Sequence, residues 1–181
     1  FNLSNIREVI DGENENEYYK INPGFLLGWM IDVNLLNGLS IQSGVDISQK
    51  GYKYDVDEDW NGSTSLLYAV VPATAKYTFN LEDVKIYGIT GPYVGIGAFG
   101  WYKSEFEGKE ESDFLLFGSD EDFKVLDIGF KLGAGLIISN IDIGVYYDLG
   151  LTNIDVDGDD DWKRMNRTFG ITLGYWFGGN D

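Results

Sequence analysis

Residues 140–154 read NIDIGVYYDLGLTNI, and this stretch decides how the rest of the chain is read. Ile141, Ile143, Val145, Tyr147, Leu149 and Leu151 share one parity, while Asp142, Gly144, Tyr146, Asp148, Gly150 and Thr152 share the other. Successive side chains of a strand point to opposite faces, so the stretch is a strand with one apolar face and one polar or glycine face. It exceeds the roughly 5 to 6 residues usual for a globular strand. It is long enough for the roughly 9 to 11 that a tilted strand needs to cross a bilayer.

The pattern repeats on both sides. Upstream, Leu126, Ile128, Phe130, Leu132, Ala134 and Leu136 alternate with Asp127, Gly129, Lys131, Gly133 and Gly135, and Ser139 and Asn140 make the turn between the two strands. Downstream, residues 167–178 set Phe169, Ile171, Leu173, Tyr175 and Phe177 against Gly170, Thr172, Gly174 and Trp176. Further strands are expected at 24–36, 39–51, 66–79 and 84–102, and residues 1–5 read as the tail of a first one. In 84–102 the apolar face takes Ile86, Val94, Ile96 and Ala98. Asn37-Gly38 predicts a type I′ hairpin turn, because that turn needs positive φ at both central residues. The connections alternate long and short, which predicts an all-β fold: an eight-stranded antiparallel up-and-down barrel in one domain over residues 1–181. The chain opens within a strand, so a leader and some mature residues are expected outside this numbering.

Composition narrows the chemistry. With no Cys and no His, the chain lacks disulfides, thiolate or imidazole metal ligands, and the Ser-His and Cys-His nucleophile pairs, so no enzyme activity is expected. No run of 18 apolar residues offers a transmembrane helix. A net charge of −17 argues against nucleic acid or an anionic lipid surface as partner. Nearly all of that charge falls in four long connections at 6–23, 52–63, 103–122 and 153–166, read as acidic loops.

Alternation alone does not say which face is inside, since a soluble lipocalin-like barrel carrying an apolar ligand would show it too. Three asymmetries favour a transmembrane barrel. The glycines sit on the polar face, where a narrow eight-stranded lumen needs small residues between large ones. The polar face carries both charges, Asp32, Asp46, Asp127, Asp142 and Asp148 with Lys50, Lys76 and Lys131, which read as structural ion pairs rather than as an acid and a base. Aromatics gather at the strand ends on the apolar face, as Phe25, Tyr77, Phe79, Tyr147, Tyr175 and Phe177 do, where interfacial girdles belong. Trp101 is read as a girdle residue, while Trp60 and Trp162 fit either a girdle or a loop anchor.

The one metal candidate is Asp155, Asp157 and Asp159, whose every-other-residue carboxylates suggest weakly bound calcium, in a site shared with Asp55, Asp57 and Asp59. The loop departs from an EF-hand, with Asp160 where Gly is needed and Asn166 in place of the twelfth-position Glu. No other cofactor is expected.

Several segments resemble the PorT-like outer-membrane β-barrel family of Bacteroidota. They are Phe1 to Ile6; Ser48, Gln49, Lys50 and Gly51; Tyr68 to Lys76 with Tyr77 and Phe79; Gly91, Pro92, Tyr93, Val94 and Gly95; and Tyr147 to Ile154. The chain departs from the pattern at its end, where Gly178, Gly179, Asn180 and Asp181 follow Phe177. The resemblance implies an OmpX-like eight-stranded barrel in the cell outer membrane of a Gram-negative cell, with its long loops outside. Its implied partners are the lipid bilayer and other envelope proteins. A few members of that family are linked to protein secretion, so a subunit of a secretion or envelope-assembly complex is an alternative expectation.

Overall fold

The computed structural model of the protein describes residues 1–14, 19–57, 60–106, 109–119, 121–158 and 162–177. Eleven strands follow in chain order: β1 (Asn2–Ile10), β2 (Glu13–Asn14), β3 (Tyr19–Gly24), β4 (Leu26–Leu36), β5 (Leu39–Asp57), β6 (Trp60–Leu81), β7 (Val84–Phe106), β8 (Lys109–Leu115), β9 (Leu126–Ile138), β10 (Ile141–Gly150) and β11 (Trp162–Tyr175). β3 and β4 both pair with β5 and, parted only by Phe25, form one stave of the wall. β2 and β8 are hairpin arms on β1 and β7. The remaining pairings run β1, β3/β4, β5, β6, β7, β9, β10, β11, and β11 returns to β1 over Asn2↔Gly170 to Ile10↔Trp162. All are antiparallel, and they join eight staves in a ring, as the alternation of long and short connections predicts.

The apolar parity faces outward. Leu27, Trp29, Ile31 and Val33 on β4, and Ile141, Ile143, Val145 and Tyr147 on β10, are all exposed, while Tyr68, Tyr93, Lys50 and Asp127 are buried inside. Apolar groups in water are unfavourable by roughly 25 cal/mol per Å². A continuous outer band of Leu, Ile, Val and aromatic residues around a charged interior is therefore stable only where hydrocarbon covers it. The reverse assignment, a soluble barrel with an apolar cavity, fails on these same residues. The aromatics border the band as expected: Tyr77 packs edge-on against Phe79 at 4.6 Å and Tyr175 against Phe177 at 5.1 Å at the short-turn end. Phe25, Phe99, Phe114 and Tyr147 lie exposed at the other.

Two expectations are corrected. The long connections are not simple acidic loops, because the strands continue through them. β1 runs to Ile10, β5 to Asp57, β7 to Phe106, and β6 and β11 begin at Trp60 and Trp162. At 22 and 23 residues, β6 and β7 are about twice the length that spans a bilayer, so roughly half of each stands beyond it. Outside the membrane both faces of a strand meet water or polar neighbours, and Lys53, Ser63, Thr64 and Ser65 lose the apolar alternation while keeping the ladder. The Asn37-Gly38 turn is also not type I′. Only Gly38 has positive φ (78°), as in a type II turn, and the ladder shifts register between Asn34 and Leu36.

Candidate functional site

The interior is a column of repeated units in which a lysine is held by a carboxylate and covered by aromatic rings. Strand alternation sends Lys50, Lys76 and Lys131 inward from β5, β6 and β9. Lys76 Nζ lies 2.7 Å from Asp32 Oδ2, Lys131 Nζ 2.9 Å from Asp148 Oδ1, and Lys50 Nζ 2.8 Å from Asp127 Oδ2. Rings flank each ammonium within cation–π distance: Tyr87 at 4.4 Å and Trp176 at 4.5 Å for Lys76, Tyr146 at 3.9 Å for Lys131, and Tyr93 at 4.4 Å for Lys50. Asp127, fully buried, also accepts from Asn166 Nδ2 at 3.0 Å. Asp142 accepts from Tyr87 at 2.7 Å and from Trp176 Nε1 at 2.9 Å. The rings need glycines opposite them. A Cβ on Gly170 would strike the Tyr146 ring, so the lumen accepts Tyr146 only because β11 carries glycine there.

Above the Lys50 unit the interior turns apolar. The segment after β8 folds back into the barrel mouth, with Gly118 N–H on the Phe123 carbonyl at 2.9 Å and Gly97 N–H on the Val125 carbonyl at 2.7 Å. It delivers Phe117 and Phe123 onto Leu66, Tyr68, Leu115 and Ile154. Phe117 meets Tyr68 edge-on at 5.3 Å, and a Cβ on Gly97 would occupy the place of its ring.

A polar clasp lies at the same end. Glu8 Oε1 accepts from Arg164 Nε at 3.1 Å, Trp162 Nε1 at 2.9 Å and the Tyr19 hydroxyl at 3.1 Å. Arg164 reaches Asp155 Oδ2 at 2.8 Å and stacks over Trp162 at 4.5 Å. Burial, together with the neighbouring Glu8 charge, holds the Tyr19 hydroxyl protonated well above the usual phenol range. Asn153 Oδ1 fixes the backbone by accepting from Asp155 N at 3.1 Å and Arg164 N at 2.9 Å.

Of the three calcium candidates, Asp155 is buried in this clasp, its Oδ2 on Arg164 and its Oδ1 accepting Asp157 N–H at 3.1 Å. Asp159 lies outside the described residues, as do Asp55, Asp57 and Trp60 as side chains. Among the described residues no three carboxylates gather as a metal cage. Trp101 is half-buried on the outer face beside Phe99, ring centres 6.1 Å apart, a girdle position. Trp162 anchors the clasp instead. The plug and the clasp escape sequence reading because Glu8 and Arg164 are 156 residues apart, and because Phe117 and Phe123 sit in a stretch with no period.

A ring of eight staves with a lipid-facing apolar band and a charged, ring-packed lumen defines a membrane-spanning barrel. The family model described as outer membrane protein beta-barrel domain matches residues 1–156, and the chain belongs to that family. It is accordingly an outer-membrane protein embedded in the bilayer. Comparison with curated proteins gives no match. Among solved structures, Ail, the attachment invasion locus protein of Yersinia pestis in complex with the heparin analogue sucrose octasulfate, is similar at 19% identity. That match covers 95% of this chain and 93% of that one, with a TM-score of 0.38. Neisserial surface protein A is similar at 14% identity over 95% and 90% of the two chains, with a TM-score of 0.43.

Proposed function

We propose that the protein is a closed, non-enzymatic barrel whose work is done by the strand extensions beyond the membrane, through contact with other envelope proteins. The filled lumen carries this reading. Three lysine units, the Phe117 and Phe123 plug and the Glu8–Arg164 clasp leave the interior to side chains, so the surface available to a partner is the extended sheet of β5 to β8 and the acidic tips around it. In planar bilayers the purified protein is expected to give no conductance steps, and discrete steps would contradict a closed lumen. A photo-cross-linker at Asn61 in living cells is expected to give an adduct with one envelope protein, lost when Asp55, Asp57, Glu58 and Asp59 are neutralised. An adduct with a secretion component would favour the PorT-like alternative, and no adduct from any hairpin tip would overturn the partner role.

A calcium ion held by Asp155, Asp157 and Asp159 would compete with Arg164 for Asp155. Calorimetry at millimolar calcium is then expected to give heat that rises in Arg164→Gln, and no heat in either protein dismisses the site.

A further inference from the structure

The chain as a whole is strongly acidic, yet its cations are not spread evenly. Opposed residues of neighbouring strands lie on one face of a sheet. Lys20 is opposite Lys53, Lys53 opposite Ser63, Ser63 opposite Lys103, and Lys103 opposite Ser112. This row crosses β3, β5, β6, β7 and β8. It lies on the outer face, because Lys103 is two residues beyond Trp101 and Ser112 two before the exposed Phe114, whereas the alternate partners Gly100 and Leu115 are buried. On the other side of the ring, β1 and β11 set Arg7 opposite Met165 and Asn5 opposite Arg167 on the same outer face, directly beyond Tyr147 and Phe169. Arg7 and Arg167 stand at one edge of a groove of about 540 Å³, whose apolar wall is Leu3, Ile21, Tyr147 and Phe169. Among the described residues, Arg7 uses Nε on Asn14 and Arg167 uses one terminal nitrogen on backbone carbonyls, so each guanidinium keeps further donors while lining the groove.

Two like charges beside one another over an apolar groove are unfavourable unless an anion joins them. The rim stands where the apolar band ends on the long-hairpin side, the outer-leaflet side in barrels of this architecture. We infer that the groove between β1, β10 and β11 binds a phosphate-bearing lipid of the outer leaflet, its acyl chain along Leu3, Tyr147 and Phe169 and its phosphate on Arg7 and Arg167, with the lysine row extending the same basic belt round the barrel. The net charge of −17 argued against an anionic lipid surface. The registers reverse that argument at the groove, where Arg7 and Arg167 stand among Asn5 and apolar residues, whereas the lysine row is bordered on its tip side by Glu105 and Glu110.

The test is native mass spectrometry of the detergent-solubilised barrel with diphosphoryl lipid A, its phosphate-free counterpart, and inorganic phosphate. The wild-type barrel is expected to retain the phosphorylated lipid and to release the phosphate-free one, with inorganic phosphate failing to displace it. Arg7→Gln/Arg167→Gln, still shifting on an unboiled gel and therefore folded, is expected to lose retention about tenfold or more. Lys53→Gln/Lys103→Gln is expected to lose less, since these lysines stand outside the groove. Equal retention of the two lipids, displacement by free phosphate, or undiminished retention in the arginine variant would each overturn the proposal.

Discussion

Asp127→Ala is expected to destabilise the barrel by about 3–5 kcal/mol, because it strands a buried ammonium rather than merely removing a contact. Lys50 and Asp127 have no solvent-exposed side-chain surface, and Asn166 shares the same carboxylate oxygen. Asp46 and Asp148 also act on Lys50 through space, but among the described residues only Asp127 is in ion-pair contact with it, and Asp148 is held by Lys131 at 2.9 Å. Tyr93 and Tyr68 set their rings 4.4 and 5.4 Å from Lys50, and neither phenol carries a charge to take the place of the carboxylate. The double change Lys50→Met with Asp127→Leu removes both charges at similar volume and is expected to recover most of the loss, as apolar replacements of buried pairs often do. Guanidinium unfolding in detergent micelles, followed by tryptophan fluorescence, gives both values. A loss below about 1 kcal/mol for Asp127→Ala would mean that water reaches the pair and that the lumen is open.

The second large effect concerns the outer face. Val145 lies midway along the apolar run of β10, between Ile143 and Tyr147, opposite Ala134 and Ile171. Val145→Arg places a guanidinium in the middle of the hydrocarbon and is expected to cost about 2–4 kcal/mol. Ser112→Arg, on the basic belt beyond the aromatic girdle, is expected to cost no more than about 1 kcal/mol by the same measurement, since such penalties fall away towards the interface. Equal costs at the two positions would contradict the placement of the bilayer.

What the sequence carried, and what it did not, divides at the membrane boundary. Inside the band, hydrocarbon on one side and a packed lumen on the other impose a strict two-residue period, so β10 and β9 are legible from Ile141 to Leu149 and from Leu126 to Leu136. The lumen charges are legible too. Asp32, Asp127 and Asp148 do meet Lys76, Lys50 and Lys131, although parity named only the set and not the partners. Asp142 is instead held by Tyr87 and Trp176, and Asp46 is buried outside the three pairs. Beyond the band the period carries no information, and the extensions of β5, β6 and β7 read as loops. The belt of Arg7, Lys53, Lys103 and Arg167 is invisible for a different reason: it exists only across strands, and only the registers align it. The turn at Asn37-Gly38 shows a further limit, because composition admits several turn types, and the one adopted has positive φ at Gly38 alone beside a register shift that the sequence does not mark.

The central claim is a closed barrel whose apolar parity faces lipid. Mobility of the detergent-purified protein on a gel in dodecyl sulfate, unboiled against boiled, tests it most directly. A compact unboiled band that shifts on boiling, with precipitation when detergent is withdrawn, is the result predicted by an apolar outer face and a ring closed by β1 on β11. A single unshifted band from a protein that stays soluble and monodisperse in buffer would mean that the faces are reversed.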